Sequence, residues 1–126
     1  MLQTHYILSM STLDIPDAIV QRLKQGDIEA FETVFRTFYQ PLTRFAMQYM
    51  GSQDEAESIV QEVLYRVWKN RKKLKRHTSL KTYLFTAARN QSLNVLKHQE
   101  IHKQYVNRHL SLKCDTNSPD QLYQNQ

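Results

Sequence analysis

The side chains best suited to hold a polyanion fall in one short run: Arg71, Lys72, Lys73, Lys75 and Arg76. Cations this close together hold phosphates by charge, with a strength that falls as salt rises. The same run also suits a solvated helix end, because cations favour the last turn through the helix dipole. Other chemistry is sparse. Two glycines leave no room for a Gly-rich phosphate loop. Cys114 has no neighbouring His or Cys in a zinc or nucleophile pattern. His98 and His102 stand four apart, and two ligands do not complete a metal site. The carboxylates from Asp54 to Glu62 suit the start of a capped amphipathic helix, which accounts for them without acid–base catalysis. Neither an enzyme, a metal nor a cofactor is expected.

The charge around that run is uneven. Residues 1–62 hold four basic and nine acidic side chains, a net of −5, whereas residues 63–126 hold thirteen basic and three acidic, a net of +10. Halves of opposite sign suggest two surfaces with different partners. The length, 126 residues, suits one compact domain, and 40% hydrophobic residues favour a folded chain. Two glycines and three prolines are too few for the turns of an all-β fold. No apolar run is long enough to cross a membrane, and the N-terminus lacks a secretory pattern. One cysteine forms no internal disulfide, so a reducing, cytoplasmic setting is expected.

Helical periodicity runs from Pro16 to about Leu96. Asp14-Ile15-Pro16 starts a short helix that Gly26 closes. Asp27 caps the next, with Ile28, Phe31, Val34, Phe35 and Phe38 as its apolar positions, and Pro41 predicts a kink or break near Gln40. Ser52 and Glu55 form a capping box ahead of the stripe Ala56, Ile59, Val60, Val63, Leu64, Val67 and Trp68. Gln61, Glu62 and Tyr65 lie on the opposite side. Thr78 or Ser79 caps a last helix carrying Leu80, Tyr83, Leu84, Phe85, Ala87 and Ala88. Tyr83, Phe85 and Trp68 are read as core. The expectation is an all-α bundle of about four to five helices: a tail over 1–13, the domain over 14–100, and a helix end with a polar linker over 101–126.

Two segments are distinctive: Asp54 to Trp68, and Ser79 to Lys97 with Tyr83-Leu84-Phe85-Thr86-Ala87-Ala88-Arg89-Asn90 at its centre. With Asp27-Ile28-Glu29-Ala30-Phe31 leading to Phe35 and Tyr39, they resemble domain 2 of bacterial sigma factors of the extracytoplasmic-function group, over about residues 16–100. That group has Ala-Glu-Asp-Ile-Val-Gln-Glu-Val-Phe with Trp four residues on, then Trp-Leu, an apolar pair and Ala-Arg-Asn. Here Ser58 stands for the usual Asp, Leu64 for Phe and Tyr83 for Trp.

The resemblance implies docking on the β′ coiled coil of core RNA polymerase, with Gln61, Glu62 and Tyr65 as the contacts; taken without it, these residues read as a solvated polar face. It also implies capture of the non-template strand of the promoter −10 element and opening of the duplex there. Lys73, Lys75, Arg76, Lys81, Arg89 and Lys97 would hold phosphates. His77, Thr78 and Ser79 would line a base pocket. Asn90 and Asn94 would read base edges or hydrogen-bond within the domain. An anti-sigma factor is a further implied partner. The family's second, −35-reading domain has no counterpart in these 126 residues, so −35 recognition is not expected of them.

Two other readings compete. A helical interaction module that binds polymerase or an anti-sigma factor without DNA would not need +10 in its second half. A self-sufficient helix-turn-helix repressor usually has a short Gly-containing turn, and the segment from Arg71 to Ser79 is long and has none.

Overall fold

The computed structural model describes residues 14–75 and 79–116, with side chains as far as Ser111. The expected tail over 1–13 and the last ten residues of the linker lie outside the described residues. The described chain is all-α: α1 Asp17–Lys24, α2 Ile28–Met47, α3 Gln53–Lys69, a 3-10 turn Arg71–Lys73, and α4 Leu80–Thr116. It divides into two compact units, one ending at Leu93 and the other starting at Asn94.

In the first unit the joints follow local chemistry. Gly26 ends α1 with φ of 89°, a left-handed conformation that favours glycine. The N–H of Gly26 donates to the Leu23 carbonyl, and that of Asp27 to Arg22, so the helix closes with a Schellman motif. The two residues that usually make an apolar contact across this motif are here Arg22 and Asp27. They form an ion pair at 2.7 Å instead. Asp27 then caps α2, accepting from the Glu29 N–H at 3.0 Å. The Arg22 guanidinium, by hydrogen bonding, holds the Asp27 carboxyl below the ordinary aspartate range, helped by the backbone N–H groups it caps.

No break occurs at Pro41; α2 runs through it. A proline inside a helix costs about 3 kcal/mol through its lost hydrogen bond and ring clash. Val34, Phe38, Leu42 and Ala46 are all fully buried, on both sides of the proline. Burying each large side chain is worth about 1.5–3 kcal/mol, so the stripe outweighs the defect.

The capping box ahead of α3 forms with one shift. Ser52 Oγ accepts from the Glu55 N–H at 3.2 Å, while the Glu55 carboxylate accepts from Gly51, one residue before the cap. Along α3 the buried residues are Ala56, Ile59, Val60, Val63, Leu64 and Val67, and this face packs against α2. Leu80, Leu84, Phe85, Ala88 and Ser92 of α4 are also buried, with Phe85 edge-on to Phe45 at 5.2 Å. Ser79 caps α4: its carbonyl accepts from Tyr83 at 3.0 Å and its hydroxyl from the Thr82 N–H at 3.4 Å.

In the second unit the helix continues to Thr116, twenty residues past Leu96, where the helical periodicity of the sequence ends. Every residue from Leu96 to Ser111 is exposed. A helix with no buried face carries no periodic stripe, which is why the sequence signal weakens there.

Candidate protein and nucleic-acid interfaces

One face of the first unit is built by α2 and α3. Gln61 is exposed and donates from Nε2 to the Tyr39 hydroxyl at 3.4 Å, tying the outer side of α3 to α2. Tyr65, one turn on, is 57% exposed. Glu62 is half-buried and pairs with Arg66 at 3.0 Å. Exposed pairs of this kind contribute about 0.2–1 kcal/mol, so Glu62 can exchange Arg66 for another cation at small cost.

The α2 side of this face was not singled out from the sequence, where Phe31, Phe35 and Phe38 are alike apolar positions of the helix. Phe38 is fully buried, whereas Phe31, Phe35 and Tyr39 are half-buried. They form a ladder of rings. Phe35 stacks on Tyr39 at 5.1 Å, Phe31 meets Phe35 edge-on at 6.2 Å, and Phe31 lies 5.1 Å from Trp68 of α3. Ile28 is 54% exposed, and with Phe31, Glu32, Phe35 and Arg36 it lines a shallow groove of about 410 Å³. The spacing carries little signal for this difference: the pair 31 and 35 is centred only about 60° from the pair 34 and 38 on the helix, and 31 and 38, seven residues apart, nearly coincide.

A second face gathers cations. Lys72, Lys73 and Lys75 are exposed around the 3-10 turn. Arg71 differs from them. Its guanidinium lies 4.3 Å over the Trp68 ring, Nη1 donates to the Trp68 carbonyl at 3.0 Å, and Nε is buried without a partner. Trp68 is therefore not the core residue the stripe suggested. It sits half-buried at the end of α3, with the Phe31 ring and the Arg71 guanidinium both against its indole.

Val20 of α1, Lys73, Leu74, Lys75, and Leu80 and Tyr83 of α4 line a cavity of about 200 Å³, mostly apolar and rimmed by the two lysines. Tyr83 is half-buried on its wall rather than in the core, while Phe85 is core as read. Thr86 and Asn90 follow Tyr83 at three and seven residues, on the same side of the helix, and both are exposed. Arg89 is exposed and Lys81 half-buried. The Ser79 hydroxyl faces the helix start as a cap. Arg76, His77 and Thr78 lie outside the described residues. Asn94 and Lys97 belong to the second unit, and both are exposed. Among the described residues no three His, Cys, Asp or Glu side chains are grouped as metal ligands, and no helix is long and apolar enough to cross a membrane.

The model of the family described as Sigma-70 region 2 matches residues 34–100, from within α2 through α3 and the basic turn into α4. The chain belongs to the sigma-70 region 2 family. This is a non-enzymatic domain of transcription initiation, associated in general with RNA polymerase binding and promoter −10 recognition. The match starts inside α2, so the early Asp27–Phe31 motif lies ahead of it. Among solved structures, the chain is similar to an engineered region 2 of sigmaE, determined by NMR in complex with GTAAAA. The two are 23% identical with a TM-score of 0.62, over 68% of this chain and 90% of that one, which is a likeness of fold. The search of curated proteins gave no match.

Proposed function

We propose that this chain is the domain 2 portion of an extracytoplasmic-function type sigma factor, working in the cytoplasm. The observation that carries this reading is the family match over residues 34–100, which spans α3, the basic turn and the first half of α4. The outer side of α3 docks on the β′ coiled coil of core polymerase through Gln61, Glu62 and Tyr65, with Phe35 and Tyr39 as the apolar flank. Exposed rings beside exchangeable polar groups suit a protein partner, because aromatic side chains dominate interface energetics. An anti-sigma factor competes for the same face.

The cationic side takes the non-template strand of the −10 element. Lys73 and Lys75 hold backbone phosphates in a salt-dependent way, joined by Arg76, Lys81, Arg89 and Lys97. The cavity beside Tyr83 receives an unstacked base, His77, Thr78 and Ser79 are the sequence-based candidates to line its pocket, and Asn90 reads a base edge. Flipping a base out costs a few kcal/mol, while stacking on an aromatic group returns about 1–3 kcal/mol per base. Capture at a preformed apolar cavity therefore biases the duplex toward the open state. No covalent step is involved.

The test is binding of the full chain to a β′ coiled-coil fragment, with Gln61→Ala and Glu62→Ala as controls. Saturable binding that either substitution weakens severalfold, with the helical spectrum intact, is the expected result. A folded chain that fails to bind at tens of micromolar refutes the reading.

A further inference from the structure

The exposed helix of the second unit carries a row of rings. His98, His102, Tyr105 and His109 follow one another at intervals of four, three and four, which places all four on one side of the helix. Tyr105 is 65% exposed. Its ring stacks on His109 with centroids 6.0 Å apart and planes 9° from parallel. Ile101 lies beside them, 52% exposed. Lys97 and Arg108 flank the row, and from Asn94 to Ser111 there are three basic residues to one acidic. The acidic one, Glu100, accepts a hydrogen bond from Gln104 at 3.3 Å.

Such a face suits one kind of partner better than another. A protein helix packing here would want a continuous apolar seam. The exposed Leu96, Val106 and Leu110 lie on another side, and Gln99 and Lys103 interrupt them. Flat rings spaced along a positively charged surface are instead the arrangement that holds single-stranded nucleic acid, bases against rings and phosphates against cations.

We infer that the Lys97–His109 face of the second unit, centred on the stacked Tyr105–His109 pair, is a second contact surface for single-stranded DNA. This inference takes its strand from the promoter-opening reading above and adds to it a surface beyond the basic turn and the cavity.

The test is fluorescence anisotropy of a labelled twenty-nucleotide oligo(dT) with the full chain and with Tyr105→Ala, His109→Ala, Arg108→Ala and Lys73→Ala. These side chains are exposed, so circular dichroism should report an unchanged fold. Losing one stacked base weakens binding about 5- to 150-fold, so Tyr105→Ala should fall in that range. Its dependence of log affinity on log salt should keep the parent slope, because a ring neutralises no phosphate, whereas the Arg108→Ala slope should become shallower by about 0.7. Parent-like affinity in Tyr105→Ala and His109→Ala, with Lys73→Ala weakened, overturns this surface and leaves the promoter reading standing. No binding by the parent chain overturns both.

Discussion

Arg71 sits in the densest basic run of the chain, yet its position is that of a pin rather than a phosphate contact. Its guanidinium covers Trp68 at 4.3 Å and donates to the Trp68 carbonyl at 3.0 Å, and the Gly26 backbone passes close to it. A partly desolvated cation on an indole contributes about 1–2 kcal/mol. A hydrogen bond from a charged group contributes about 1.5–3 kcal/mol. Against these, the buried, unpartnered Nε costs roughly 1–3 kcal/mol, which substitution would relieve. The net expectation for Arg71→Ala is a loss of about 1–2 kcal/mol, the sum of the two gains less that cost. Arg71→Lys should recover little, because an ammonium on a flexible stem does not lie flat on the ring. Urea unfolding followed by circular dichroism measures the loss. Oligo(dT) binding across a salt series completes the assay. Where Arg71→Ala is folded, it should bind more weakly with the parent salt slope, because it displaces the neighbouring lysines without removing a phosphate contact. Parent stability together with a slope shallower by about 0.7 would show Arg71 to be a phosphate ligand and refute the reasoning.

Two further substitutions probe the joint between α1 and α2. Gly26→Ala should destabilise the chain by roughly 1–2 kcal/mol, because φ of 89° is strained for any residue with a Cβ and the new methyl would meet Arg71 Nη2 at 3.4 Å; urea midpoints report it. Asp27→Asn should keep the cap on Glu29 but lose the Arg22 ion pair. The folded carboxyl of Asp27 lies below its unfolded value, so its contribution is present above about pH 4 and is lost as pH falls through the lower, folded value. Melting temperatures taken from about pH 5 down to pH 2 should fall more steeply for the parent than for Asp27→Asn, and parallel curves would argue against the linkage.

Much of this was readable in the sequence because local chemistry and burial agree there. Gly26, Asp27 and Ser52 punctuate the helices where their backbone and side-chain preferences put them, and the α3 stripe from Ala56 to Val67 is buried residue for residue. Pro41 shows where local preference lost, since full burial of Phe38 and Leu42 carries α2 across it. The interfaces were legible in part. Gln61, Glu62 and Tyr65 stand away from the core as helical geometry requires, but periodicity gives a direction and not a depth. It therefore could not separate Phe38, which is enclosed, from Phe31 and Phe35, which α3 only half covers. Nor could a count of positive charge show that Arg71 is turned inward while Lys72, Lys73 and Lys75 face solvent. That distinction depends on Trp68 ending α3 where the guanidinium can reach it.

Pro41 has a consequence for what holds the two halves of α2 together. Helix propagation adds one backbone hydrogen bond per residue, and Pro41 cannot donate the one that would reach the Thr37 carbonyl. The rest of the helical ladder still crosses the proline, the Thr43 hydroxyl donates back over it to the Tyr39 carbonyl at 2.7 Å, and the row Val34, Phe38, Leu42 and Ala46 is buried on both sides of it. Packing of α3 on that row therefore stabilises both halves of α2 together, and with them the ladder of Phe31, Phe35 and Tyr39 that meets Gln61 and Trp68.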